Sequence, residues 1–322
     1  MEDIIKQDPD GLAEWLWSHG KWKTQDTPHQ IFHLHSKRSI LPLSNEIPKK
    51  TKIWIRMPNW LGDVVMASSL VRAIERGRPD AEITLLCQSQ YESLLKHLNI
   101  GHKIIILPQK GFSYYLKFLY FRKQYPDVHY LFTNSLRGDM EAYLCGAPLR
   151  LSGCTSRKRK LLTHQAKISQ EYKKMHQVEV WTQHLRHFGL KEKIILSPLI
   201  SPSKQLNNDK VICLAPGSSN TPEKRWPIEN WINLITSLNN KLPEYKYRLT
   251  GSKKDTGICN TIVEGLPGKN VENYSGETKL SDLCDLLRKS KLLICNDSGA
   301  MHLANSIGVS VVALFGVTDH NL

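Results

Sequence analysis

No stretch of this 322-residue sequence approaches the ~18 consecutive apolar residues of a membrane span, and its start lacks a basic segment followed by a hydrophobic one. The expectation is a cytoplasmic protein. Cysteine is sparse and odd in number, seven in all, with no Cys-x-x-Cys and no Cys/His spacing of the kind that holds a metal. Cys87, Cys213 and Cys295 fall inside apolar runs, which predicts buried free thiols in a reducing compartment.

What the sequence carries is enough apolar material for sizeable cores: 40% hydrophobic and 23% charged residues suggest about two domains of ordinary size. The net charge of +14 is unevenly spread. Lysine plus arginine against aspartate plus glutamate is 7 against 7 in residues 1–50, 24 against 11 in 51–205, and 13 against 12 in 206–322. The excess lies in the middle segment, with a local run Arg157-Lys158-Arg159-Lys160, so this segment is expected to face something anionic. By charge alone, nucleic acid and an anionic membrane surface both qualify, and a solvated helix face is the plain alternative.

Residues 1–50 contain Trp15, Trp17 and Trp22 and several prolines without a long periodic pattern; one helix over 10–19 and an irregular connection are expected. From residue 52, strands over 52–57, 82–87, 103–107, 130–133 and 149–152 alternate with helices over 64–76, 91–98, 114–124 and 139–145, and a further helix covers 176–188. Residues 197–208, with Pro198 and Pro202, read as a linker. The alternation restarts with strands over 211–215, 247–250, 269–274, 291–295 and 311–316, separated by helices from 227, to 264, over 280–289 and over 298–308. This pattern predicts parallel sheets with helices on both faces. The expected chain is α/β, with two Rossmann-like doubly wound domains, 51–205 and 206–322, facing a cleft after an N-terminal extension over 1–50.

Open α/β sheets bind ligands at the carboxyl ends of their strands, where helix N-termini offer free N–H groups and a positive dipole end. Asp297, Ser298, Gly299 and His302 all lie within one helical turn of such an edge. Singly, Asp297 or Ser298 reads as an N-cap and His302 as a surface histidine; together they read as a donor-binding turn. Arg56-Met57-Pro58-Asn59-Trp60-Leu61-Gly62-Asp63 ends another strand. Gly62 suits a tight turn approached by a ligand, and Asp63 is either a helix cap or a general base for an acceptor hydroxyl. Ala215-Pro216-Gly217-Ser218-Ser219, continuing to Lys224-Arg225-Trp226-Pro227, is neither a Walker motif nor Gly-x-Gly-x-x-Gly. It still offers small residues for close approach, hydroxyls to donate and a cation to neutralise a diphosphate, with an exposed surface loop as the alternative.

These stretches, with Thr133-Asn134-Ser135-Leu136-Arg137 and Phe315-Gly316-x-Thr318-Asp319, resemble the ADP-heptose:lipopolysaccharide heptosyltransferases of glycosyltransferase family nine, most closely the second heptosyltransferase type. The likeness runs from about residue 52 to 319 with all motifs in order. It implies a GT-B arrangement, a C-terminal domain for ADP-heptose and an N-terminal domain facing the lipid A inner-core acceptor. By motif it implies Asp63 as base, Ser218, Ser219 and Lys224 on the diphosphate and ribose, and Asp297, Ser298, Gly299 and His302 in the donor turn. It places Asn59, Trp60, Asn134 and Arg137 on the acceptor side. It further implies inversion with no cofactor and no metal, and a protein peripheral at the cytoplasmic face of the inner membrane. The family continues past the Phe-Gly-x-Thr-Asp stretch whereas this sequence ends at Leu322, so a C-terminal domain lacking its last segment is expected; residues 1–50 have no counterpart. A transferase for another sugar nucleotide and an inactive sugar-nucleotide-binding module remain as alternatives. A nucleic-acid binder would leave the turn at 297–302 without a role and lacks interleaved basic and aromatic residues on a sheet face.

Overall fold

A computed structural model describes residues 51–111, 113–154, 159–167, 175–196, 198–199, 210–218 and 221–316. The helix expected over 10–19, most of the linker over 197–208, Ser219, Arg157, Lys158, Thr318 and Asp319 lie outside the described residues.

The first sheet contains β1 (Lys52–Arg56), β2 (Glu82–Cys87), β3 (Lys103–Ile106), β4 (Val128–Leu131), β5 (Leu149–Cys154) and β6 (His164–Lys167), in the order β3-β2-β1-β4-β5-β6. Between them run α1 (Leu61–Gly77), α2 (Glu92–His97), α3 (Tyr114–Phe121) and α4 (Leu136–Cys145), and α5 (Gln177–His187) follows. The second sheet contains β7 (Val211–Ala215), β8 (Lys246–Leu249), β9 (Val271–Asn273), β10 (Leu292–Asn296) and β11 (Val311–Leu314), in the order β11-β10-β7-β8-β9. Its helices are α6 (Ile228–Lys241), α7 (Thr256–Glu264), α8 (Leu280–Arg288) and α9 (Gly299–Ser306). Every strand pairing is parallel. In both sheets the chain builds outward on one side of the first strand, then returns to its other side, which is the doubly wound Rossmann order.

Strands buried on both faces need apolar side chains in both directions, which is why β7 is buried at every position and β1 at all but its first. The second sheet closes over Trp231, Ile235, Tyr247 and Ile262, and the first over Trp54, Leu86, Tyr114 and Phe118. The described residues form two compact units. One takes those up to Asn59, Leu70–Glu92 and Ile100–Ile194; the other takes Trp60–Ser69, Ser93–Asn99 and Ile195 onward.

The expected alternation is present with three differences. The strand expected over 130–133 is β4 at Val128–Leu131, because pairing with β1 aligns Ile53 with Val128 and Arg56 with Leu131. β6 was not expected: His164-Gln165-Ala166-Lys167 has no apolar run, as suits a strand at a sheet edge with a single neighbour. The third difference is Arg159. Within a basic run expected to face an anion, it turns inward, pairing with Asp139 through Nη2 and, at 3.0 Å, through Nε. It also donates to Ser152 Oγ at 2.6 Å, Gly153 O at 3.0 Å and Thr133 O at 3.1 Å, while Lys160 is exposed.

Six described cysteines, Cys87, Cys145, Cys213, Cys259, Cys284 and Cys295, are buried free thiols. Burial pushes Cys87, Cys284 and Cys295 up to about 12 and Cys213 and Cys259 up to about 11.

Breaking a buried ion pair by removing one partner costs about 3–5 kcal/mol because the other charge stays buried. Arg159→Ala is therefore expected to lower the thermal midpoint by roughly 10 °C. Lys160→Ala, on an exposed side chain, should leave it unchanged. Equal melting of the two variants in calorimetry would contradict the clamp.

Candidate active site

In the second sheet the strand order turns at β7 and β10, so the loops leaving their carboxyl ends bound a crevice of the kind that holds nucleotides. Asn296, the last residue of β10 and fully buried, ties these loops together. Its Nδ2 donates to Pro216 O at 2.7 Å and its Oδ1 accepts from Trp226 N at 3.2 Å. That holds both ends of the segment from Pro216 to Trp226. The short turn Pro222–Lys224 within it delivers Lys224, whose Nζ lies 2.5 Å from Asp297 Oδ2.

Arg225, the other cation here, faces the loop itself: Nε and Nη2 donate to Ser218 O at 3.2 and 2.9 Å. Ser218 is buried under that brace. Gly217 is required by a close approach, since a Cβ there would stand 2.2 Å from Asp255 Cγ. The Asp255 carboxylate is held in turn by Ser252, accepting from its N at 2.9 Å and its Oγ at 2.6 Å.

Ser298 occupies the N-cap of α9 in extended backbone, but its side chain makes no capping bond, and Gly299 and His302 fall in the first turn behind it. A helix N-terminus left without a side-chain cap, with an ammonium in the neighbouring loop, favours a bound anion. Ser218, Lys224, Asp297, Ser298, Gly299 and His302 are all in the second unit.

Asp63 is the third residue of α1, whose first turns group with that same unit. The helix begins at Leu61, so Gly62 lies inside it, not in the tight turn expected. Its lack of a side chain accommodates the imidazole of His302: a Cβ on Gly62 would come within 2.8 Å of His302 Cδ2. Among the described residues, no hydrogen bond or ion pair reaches the Asp63 carboxylate, so it does not cap the helix. Partial burial raises its pKa above the ordinary aspartate value. A carboxylate without partners and with raised basicity suits proton abstraction.

In the first sheet the corresponding turning point lies between β1 and β4. Arg56, the last residue of β1, is buried and bonds Glu141 Oε2 on α4 at 2.7 Å, Met57 O at 2.5 Å and Asn59 Oδ1 at 3.2 Å. Tyr114 on α3 donates to Glu141 Oε1 at 2.5 Å, and burial with this bond pushes its phenol far up. Tyr91 Oη and Gln88 Nε2 reach Asn59 O and Oδ1 at 2.8 and 3.1 Å. Arg56, Glu141 and Tyr114 thus fix Asn59 in place; of the three, only Arg56 belongs to a stretch marked by the sequence, and no role attaches to it there. The available signal was a charged residue closing an apolar strand. Asn134 and Arg137 are exposed on either side of Ser135, the N-cap of α4, and Trp60 is 58% exposed.

The sequence profile of glycosyltransferase family 9 (heptosyltransferase) matches residues 122–322. Lipopolysaccharide heptosyltransferase 2 of Salmonella typhimurium is 26% identical over 291 residues, 82% of each chain. Lipooligosaccharide heptosyltransferase 2 of Campylobacter jejuni is 28% identical over 287 residues, 83% of this chain and 81% of that one. The structure of ADP-heptose LPS heptosyltransferase II of E. coli superposes with a TM-score of 0.71 at 24% identity, covering 84% of this chain and 86% of that one. With the profile spanning well over half of the sequence and the same doubly wound sheets on both sides of the comparison, the chain belongs to glycosyltransferase family 9.

Proposed function

We propose that this chain transfers heptose from ADP-heptose to the heptosyl-Kdo-lipid A inner core of lipopolysaccharide, with inversion. The observation that carries the reading is the Lys224–Asp297 pair, set between the β7 and β10 loops at 2.5 Å beside the start of α9. Asp297 holds the ammonium where a diphosphate would sit, with Ser218 and Ser219 on the diphosphate and ribose.

Asp63 removes the proton from the acceptor hydroxyl, and that oxygen attacks the anomeric carbon from the face opposite ADP. The bond from the anomeric carbon to the diphosphate oxygen breaks as the new bond forms. The charge released on the diphosphate is met by Lys224 and the first N–H groups of α9, already in position before the reaction. The mechanism draws on these groups with no cofactor or metal ion. Asn59, Trp60, Asn134 and Arg137 orient the acceptor. Its lipid anchor places the protein peripherally on the cytoplasmic face of the inner membrane, although no helix among the described residues is long and apolar enough to cross it.

The reading is tested by incubating the protein with ADP-heptose and heptose-deficient lipid A core and following ADP release. Binding of ADP without its release would reduce the chain to a binding module, and release from a different sugar nucleotide alone would move the donor specificity.

Lys224→Ala should lower kcat by roughly a hundredfold, the loss expected for one preorganised electrostatic group. Unchanged turnover at saturating donor would remove Lys224 from the mechanism.

Asp63→Asn should slow the chemical step by about two to four orders of magnitude. It should not destabilise the fold. Because the folded-state pKa is raised, the stability that Asp63 contributes is present below the ordinary aspartate range and lost as pH rises through the raised value. At neutral pH the asparagine variant should therefore melt no lower than the parent, and the parental rate should fall as pH drops through that same window. A folded Asp63→Asn protein with near-parental turnover would place the base elsewhere.

A further inference from the structure

The helix α3 is apolar on two opposite faces. With about 3.6 residues per turn, Tyr114 and Phe118 share one face and enter the core of the first unit. Tyr115, Leu116, Leu119 and Tyr120 spread over the opposite face, and they are 40%, 59%, 43% and 65% exposed. Isolated exposed apolar residues are ordinary on a protein surface, but four on one face of a two-turn helix form a patch. A helix that is hydrophobic all round is either enclosed by protein or in contact with lipid.

Charge decides what the patch meets. Residues 107–126 contain Lys110, Lys117, Arg122 and Lys123 and no acidic residue. Lys117 is exposed within the helix, and the Lys123 ammonium lies 5.2 Å from the centre of the Tyr120 ring just beyond its end. In a two-fold contact between copies of this chain the patch would meet itself, setting these cations against their own counterparts. An anionic bilayer presents the complementary arrangement: acyl chains for the leucines, the interfacial zone for the tyrosines, and phosphates for lysines whose stems lie along the surface. The other basic candidate, the run at 157–160, includes Arg159, which is spent inside the fold.

We propose that the outward face of α3 is the surface by which this protein docks on an anionic lipid bilayer. The inference rests on the reading of the acceptor as a membrane-anchored glycolipid and supplies the contact that reading needs. The docked helix is joined to the acceptor side through Tyr114, which bonds Glu141 and through it Arg56 and Asn59.

The test is co-sedimentation of the full chain with phosphatidylcholine vesicles with and without phosphatidylglycerol. The parent should partition onto the anionic vesicles and be released by salt. Leu116→Ser/Leu119→Ser/Tyr120→Ser should weaken that partition by at least about tenfold, with the melting temperature and ADP affinity unchanged. Lys117→Glu/Lys123→Glu should weaken it on anionic vesicles only, which keeps the test independent of the first variant. Equal partition of parent and both variants would overturn the proposal. A parental dimer in sedimentation velocity that the serine variant abolishes, without change in vesicle binding, would assign the face to a second copy instead. Vesicle binding is read without donor or acceptor, whereas ADP release with an acceptor freed of its acyl chains reads the transferase alone, so the two ideas fail separately.

Discussion

A buried carboxamide has one orientation that satisfies both its ends, and the second unit is arranged around that constraint at Asn296. Its nitrogen faces a carbonyl, Pro216 O, and its oxygen faces an N–H, that of Trp226; turned over, it would set donor against donor and acceptor against acceptor. In a fully buried position each mismatch would cost on the order of 1–3 kcal/mol, so the loop after β7 is closed in one way. Lys224 lies inside that closed segment, two residues before Trp226, and its meeting with Asp297 follows from the closure. Gly217 and the Ser252–Asp255 bonds brace the same loop from its far side.

The first unit solves the same problem with charge. Arg56 ends β1 as Asn296 ends β10, each polar group following a buried apolar run at the point where the strand order turns. The desolvation of a buried arginine and glutamate consumes most of their attraction, so the Arg56–Glu141 pair adds little to stability as such. What it supplies is direction: with Tyr114 on one carboxylate oxygen and Asn59 on the guanidinium, the loop after β1 is fixed from three elements at once.

How much of this was legible depended on whether a local pattern or a distant partner decided the outcome. Central strands such as 82–87 and 211–215 appear at the expected residues because burial on both faces forces an unbroken apolar run. β6 has no such requirement at the sheet edge, and its polar sequence left nothing to read. Asp297, Ser298, Gly299 and His302 were placed correctly at one helix start because they are neighbours in sequence. Glu141, 85 positions from Arg56, was not found, since nothing within its own helix marks it as a partner. Arg159 departs from its run for a related reason: a run of like charges reports sign, while the inward turn of one member depends on Asp139, twenty positions away. Asp63 reads as either cap or base, because the sequence shows that it starts a helix but not whether any N–H reaches it.

The buried thiols have a use that has nothing to do with transfer of a sugar. Cys87 and Cys145 report on the first unit and Cys213, Cys259, Cys284 and Cys295 on the second, and burial, by raising their pKa, keeps thiolate scarce while the fold is closed. Alkylation at any one of them therefore has to wait for the surrounding layer to open, and its rate is a local clock for that opening. Because the positions are distributed over both units, on strands and helices alike, peptide-resolved labelling would time the breathing of each unit separately in the chain with its native cysteines.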